Sequence, residues 1–279
     1  MTVMTLPALT PEQIDGMCYN ELIGLIQETN RPPGGRQTIV EVALHAFLGP
    51  HKRVLDIGTS TGVTALELAR TTGCHVTGID INPLSLQVAR DRARSMGVDT
   101  VTFQEADALD LPFPDGHFDL IFCGNVTSLV RDAGRAIGEY QRVLKPNGLL
   151  ATVPMYYVDT PSDTLVDEVR AAIQVPITVK YRAEALEPFR ATGMEVIHES
   201  DWRFARLPRE TVDAYCARIL QRPHLTSLNA AARAMLERKY RAYMELFRNN
   251  LSLMGYTVMM LRKSSFIEDE ELFVGERAS

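Results

Sequence analysis

Nine residues, Val54-Leu55-Asp56-Ile57-Gly58-Thr59-Ser60-Thr61-Gly62, hold the types and spacing that could do chemistry. An acid is followed at alternate positions by Gly58, Ser60 and Gly62, directly after an apolar run. Gly58 lets the chain turn where a Cβ would clash. Gly62 would let a ligand lie against bare backbone at a helix start, where free N–H groups point outward. Asp80 closes the next apolar run. An acid at a second strand tip grips a ribose diol. Together these residues predict a nucleoside-binding βαβ unit: strand 53–57, helix 63–71, strand 75–79.

Asp56 separates two ligand classes. A dinucleotide presents pyrophosphate to its glycine turn, and an aspartate inside that turn would repel it. S-adenosylmethionine carries a sulfonium and an ammonium against one carboxylate, so an acid beside the turn suits it.

The elements that must position these residues follow from patterning. Further strands are predicted at 101–104, 118–124 and 148–154, with helices at about 83–95 and 131–144 between them. Strand–helix alternation of this length argues for a doubly wound, mostly parallel α/β sheet covered on both faces. Upstream, apolar Ile14, Met17, Leu22, Leu25 and Ile26 predict a helix from Pro11 to about Glu28, and Asn30 to Gly35 cannot continue it. A second helix is predicted from Gln37 to Phe47. Downstream come helices at about 161–173 and 183–192, a strand over 195–206, helices at 209–221 and 227–250, and a strand over 256–261. The sequence thus divides into an N-terminal helical lid (1–50), a cofactor-binding core (51–206), a helical cap inserted before the last strand (207–252), and a last strand with an acidic, peripheral tail (253–279).

The chain has 279 residues, 46% hydrophobic and 23% charged, with a net charge of −6. That balance lacks the basic surplus of duplex-binding proteins. Cys18, Cys74, Cys123 and Cys216 are scattered, without metal-ligand or disulfide-framework spacing. No signal peptide or apolar run of 18 residues is recognisable. The expectation is a cytoplasmic protein acting on a small molecule, without metal, membrane or nucleic acid, and open to homodimerisation.

These motifs resemble the class I S-adenosylmethionine-dependent methyltransferases, well over residues 50–160 and by topology beyond. Asp56-x-Gly58-x-Ser60-x-Gly62 is similar to the family's first motif, with serine where the middle glycine is usual. The resemblance implies a seven-stranded, Rossmann-like sheet. It implies that Asp80 holds the ribose hydroxyls with Ile81 beside the adenine. Asp107, in Glu105-Ala106-Asp107-Ala108-Leu109, would accept from the adenine amino group, with the Ala108 backbone at the ring edge. An N-terminal helix lids the cofactor in similar enzymes, which makes Tyr19 a lid contact.

Asn125 ends the fourth strand at the ligand edge and could meet cofactor or acceptor. Tyr156 and Tyr157 follow the fifth strand there, one suited to the core and the other to an acceptor pocket. Arg36, His117 and His224 read more simply as loop residues than as functional groups, and Cys123 as a buried small hydrophobe. The stripe Tyr240, Tyr243, Met244 and Phe247 is either cap core or acceptor wall. No catalytic base is readable. The sequence reading is methyl transfer to an oxygen or nitrogen of a small molecule of specialised metabolism. Its rivals are a protein or peptide methyltransferase and a non-catalytic adenosylmethionine-binding protein.

Overall fold

The computed structural model describes residues 9–264; the acidic run 267–272 lies outside them. Five strands form the parallel part of the sheet: β1 (Arg53–Ile57), β2 (His75–Asp80), β3 (Val101–Glu105), β4 (Phe118–Cys123) and β5 (Leu144–Thr152). β1 pairs with β2 and β4, β2 with β3, and β4 with β5. Four of the five β1 residues, Val54 to Ile57, are buried. Such continuous burial is the mark of a strand covered on both faces.

The covering helices are locally well specified. Between β2 and β3 runs α5 (Pro83–Met96), the fifth helix of the chain. The Asn82 side chain accepts from the N–H groups of Leu84 and Ser85, and Pro83 occupies the first turn, where its missing N–H costs nothing. α4 (Val63–Thr72) joins β1 to β2, and α6 (Ala133–Val143), capped by Asp132, joins β4 to β5.

The last strand, β8 (Met254–Arg262), runs antiparallel beside β5. Its other edge pairs with β7 (Glu195–Arg203). A short strand, β6 (Met155–Tyr157), continues the line of β5 along β8. The sheet therefore holds eight strands in seven lanes, ordered β3-β2-β1-β4-β5-β8-β7. The continuous strand predicted over 148–154 is interrupted because Pro154 has no N–H to give; its carbonyl accepts from Thr257 instead.

Three apolar clusters hold the molecule. One face of the sheet packs against α3 (Arg36–His45), α4 and α5, with Ile39, Val42, Leu68 and Ala89 buried. The other packs against α6 and α8 (Arg182–Arg190) through Tyr140, Leu186 and Phe189. The third joins the N-terminus to the insertion. Ile14 of α1 (Pro11–Gly16) and Leu22, Leu25 and Ile26 of α2 (Tyr19–Ile26) pack on Cys216 and Ile219 of α9 (Arg209–Leu220). They also meet Leu236 and Tyr240 of α10 (Ala230–Leu251). The first two helices thus share one core with the helices between β7 and β8, and α3 packs in the sheet layer.

The single helix predicted from Pro11 to Glu28 is two. Met17 leaves helical dihedrals (ψ 135°), and the Cys18 N–H is taken by the Glu21 carboxylate at 2.8 Å, restarting the chain as α2. Among the described residues no helix is long and apolar enough to cross a membrane, and no cluster of three or more His, Cys, Asp or Glu could hold a metal.

Candidate cofactor and acceptor site

A cavity of about 760 Å³ opens at the carboxyl edge of β1 and β4. Asp56, Gly58 and Ser60 supply one wall, Asn125 and the β6 tyrosines another. Its remaining walls come from Tyr19 of α2, Val169 and Ile173 of α7 (Asp163–Ile173), Tyr215 of α9 and Phe247 of α10. This is the edge where open α/β sheets bind ligands.

The turn after β1 is built for close approach. Gly58 has φ +68°, and a Cβ there would stand 2.1 Å from Val126 Cγ2. Ser60 also takes a left-handed conformation, φ +50°, which costs a residue with a side chain roughly 1–2 kcal/mol. Its N–H donates to Asp80 Oδ2 at 2.9 Å, and the Asn82 N–H donates to Asp80 Oδ1 at 2.9 Å. Asp80 thereby ties the β1 turn to the β2 turn, and each carboxylate oxygen keeps acceptor capacity.

Gly62 also has positive φ, +77°, and like Asp80 lies outside the cavity wall. A Cβ there would meet Ala89 Cβ and the Phe103 ring, each at 2.7 Å. The missing side chain lets α4 start tight against α5 and β3.

Asp56 is 2% exposed yet borders the cavity. Burial pushes its pKa up to about 7; the Thr59 hydroxyl, donating at 2.6 Å, opposes this, and the neighbouring Asp80 charge adds to it. A carboxylate so destabilised gains from a cation placed beside it.

The cavity gathers Tyr19, Asp56, Gly58, Ser60 and Asn125. Asp80, Ile81, Asp107 and Ala108 stand at the ends of β2 and β3, outside its wall. Ile81 is 72% exposed, a large apolar side chain presented beside the ribose candidate. Asp107 shapes its own turn, its Oδ1 accepting from the Leu109 N–H at 2.9 Å. Ala108 is buried within the core under that turn. Asn125 Oδ1 accepts from the Met155 N–H (3.2 Å) and the Ser128 hydroxyl (2.8 Å), bracing the end of β4 against β6. Tyr156 and Tyr157 are both buried and both border the cavity. Phe247 lines it, whereas Tyr243 lies behind, donating to the Met17 carbonyl at 3.2 Å. Arg36 and His117 are not among the lining residues.

Glu28 was not legible as a site residue. It is 6% exposed and borders the cavity, with Oε2 accepting from Tyr19 Oη at 3.2 Å and Oε1 from Tyr215 Oη at 2.9 Å. Burial raises its pKa against those hydrogen bonds. Thr211 and Tyr215, at i, i+4 spacing on α9, both border the cavity.

The seven-lane sheet, the turn after β1 and the acids at successive strand tips define a Rossmann-like nucleoside-cofactor protein. The methyltransferase domain family matches residues 48–192, and the chain belongs to it, with S-adenosyl-L-methionine as cofactor. It is 30% identical to 27-O-demethylrifamycin SV methyltransferase of Amycolatopsis mediterranei, over 76% of this chain and 77% of that protein. It is 42% identical to a demethylmenaquinone methyltransferase of Thermus thermophilus, over 42% of this chain and 52% of that one. The chain spans 52–64% of the length of the first curated relatives it matches. Among solved structures, the [4+2]-cyclase SpnF shares the fold, with a TM-score of 0.67, 24% identity, and coverage of 93% of this chain and 99% of SpnF.

Proposed function

We propose that the chain transfers a methyl group from S-adenosylmethionine to an oxygen or nitrogen atom of a small-molecule acceptor. The observation that carries this is one continuous cavity running from the Gly58–Ser60 turn to Phe247 beneath the cap. Its volume falls in the range of sites for small molecules, about 300–1,000 Å³. The bound cofactor supplies an electrophilic methyl on a sulfonium. The protein's part is placement, and orientation alone can supply up to about 7–11 kcal/mol of barrier lowering.

Each residue then has a task. Asp56 answers the cofactor's positive charge. Asp80 accepts from the ribose diol with its remaining lone pairs, Ile81 covers the adenine, and Asp107 accepts from the adenine amino group. Asn125 and the β6 tyrosines face the acceptor side. The name 27-O-demethylrifamycin SV methyltransferase describes methyl transfer to 27-O-demethylrifamycin SV, and it supports a small-molecule acceptor here.

A second reading has one specific support. SpnF is titled a [4+2]-cyclase, so this fold also carries chemistry other than methylation. Transfer of labelled methyl from S-adenosylmethionine across a panel of oxygen- and nitrogen-bearing metabolites separates the two. Methylated product supports the first reading; binding of S-adenosylhomocysteine with no transfer to any acceptor supports the second.

A further inference from the structure

A second groove, of about 430 Å³, lies against the end of α2, with Gln27 and Thr29 on its wall. Arg31, Arg70, Arg92, Arg222 and His224 converge there, and among the described residues Glu67 is its only carboxylate. The whole chain carries a net charge of −6, so this surplus is local.

The hydrogen bonds of these cations are accounted for; their charges are not. Arg92 Nη1 donates to the Thr61 carbonyl at 2.8 Å, and its Nη2 to the carbonyls of Gln27 and Glu28. Arg222 donates to the Ile26 carbonyl at 3.0 Å and to the Thr29 hydroxyl at 3.3 Å. His224 Nε2 lies 3.0 Å from the Leu25 carbonyl. All of these acceptors are neutral. They fix the carboxyl end of α2, where cations are favoured. Glu67 pairs with Arg31. Arg70 is exposed and has no partner among the described residues. The Glu28 carboxylate attracts Arg222, but its oxygens are held by tyrosine hydroxyls on the main cavity. Among the described residues, Arg70 and Arg92 therefore have no counter-charge in the groove, and Arg222 has only a remote one. Burial, together with the nearby charges of Arg222 and Arg31, lowers the pKa of Arg92 to about 10.

We propose that this groove binds a small anion bearing phosphoryl groups, gripped by Arg70, Arg92 and Arg222. The Arg70 guanidinium fork matches phosphoryl oxygens in paired hydrogen bonds, while Arg92 and Arg222, held by their neutral acceptors, supply positive charge that gains from a counter-ion replacing lost hydration. The groove is bordered by α4 through Arg70, α5 through Arg92 and the segment after α9 through Arg222. An occupant would lock the carboxyl end of α2 to all three, next to the wall of the main cavity.

Inorganic pyrophosphate is the probe, titrated by calorimetry into the full chain at low salt. The expected result is saturable binding with a Kd of about 1 mM or tighter. Arg70→Ala leaves every carbonyl contact in place, so it should keep the wild-type melting temperature and weaken binding about tenfold. Arg92→Ala should weaken it further; if that variant fails to fold, Arg70→Ala alone decides. Hydrogen exchange at residues 22–30 should slow on binding in the wild type and not in Arg70→Ala. Absence of saturable binding up to about 10 mM, or equal affinity in Arg70→Ala, overturns the proposal.

Discussion

Tyr215 on α9 donates its hydroxyl to Glu28 Oε1 at 2.9 Å, so one hydrogen bond joins that helix to the residue two positions beyond the end of α2. Both side chains border the main cavity. Tyr215→Phe would leave a carboxylate oxygen without its donor at a position 6% exposed. The expected loss of stability is about 1–3 kcal/mol, read by urea unfolding. Glu28→Gln in the Tyr215→Phe background should recover part of it, since a neutral amide is cheaper to bury. Simple additivity of the two losses would show that the pair is not coupled.

Gly58 and Val126 form the second tight pair. Gly58→Ala meets two penalties: the left-handed backbone, roughly 1–2 kcal/mol, and the collision of its Cβ with the valine. Adding Val126→Ala removes the collision and not the backbone penalty. The double variant should therefore recover stability only in part. Affinity for S-adenosylhomocysteine should be reduced in both, because the methyl group enters the turn that borders the cavity. Wild-type affinity in folded Gly58→Ala would remove the turn from the binding site.

Gly62 should behave in the opposite way. Its absent side chain serves Ala89 and Phe103, away from the cavity. Gly62→Ala is expected to lower the melting temperature by the cost of a left-handed alanine and a crowded core, about 1–3 kcal/mol. The fraction that folds should bind S-adenosylhomocysteine within about threefold of wild type, a difference below 1 kcal/mol. Loss of affinity without loss of stability would restore the ligand-facing role read from the motif.

The contrast between the two glycines marks how far the sequence reaches. β1 and β4 were legible because strands covered on both faces leave near-continuous buried runs. α10 was legible from its apolar stripe. The spacing that located Gly58 and Gly62 carries no information on which side of each is open, since that depends on Val126 in one case and Phe103 in the other. The break between α1 and α2 was hidden because apolar residues keep helical spacing through it. Glu28 was hidden because its partner, Tyr215, is 187 positions away. Removing residues 1–35 would strip Ile14, Leu22, Leu25 and Ile26 from the core they share with α9 and α10, each worth about 1.5–3 kcal/mol, so such a truncation should unsettle those helices as well.

Asp80 has two tasks that can be measured apart. Asp80→Ala removes the acceptor for the N–H groups of Ser60 and Asn82, costing stability. If it also holds the ribose, affinity for S-adenosylhomocysteine should fall by about 1.5–3 kcal/mol. A cofactor analogue lacking both ribose hydroxyls distinguishes them. It should bind the wild type weakly and be indifferent to the substitution. Equal losses for cofactor and analogue would assign Asp80 to the turn alone.

Asp56 makes binding depend on pH. Its folded pKa of about 7 lies above the ordinary carboxylate value, 3.8, chiefly through burial. A raised acid binds its proton more tightly when folded, so its contribution to stability is present below the ordinary value and is lost as pH rises towards 7. The ligand reverses that preference. Positive charge on S-adenosylmethionine favours ionised Asp56, so affinity should climb as pH passes about 7 and level off about one unit above. Glu28 and Asp80 are also raised, by burial in each case, so the wild-type slope is not Asp56's alone. The comparison that isolates it is Asp56→Asn, which cannot ionise and nearly preserves shape. Calorimetric titrations from about pH 5.5 to 8.5 should show a steeper rise in the wild type than in the variant. The same variant should flatten the decline of ligand-free stability over that window. Parallel profiles for the two proteins would mean that Asp56 carries no charge the cofactor can feel.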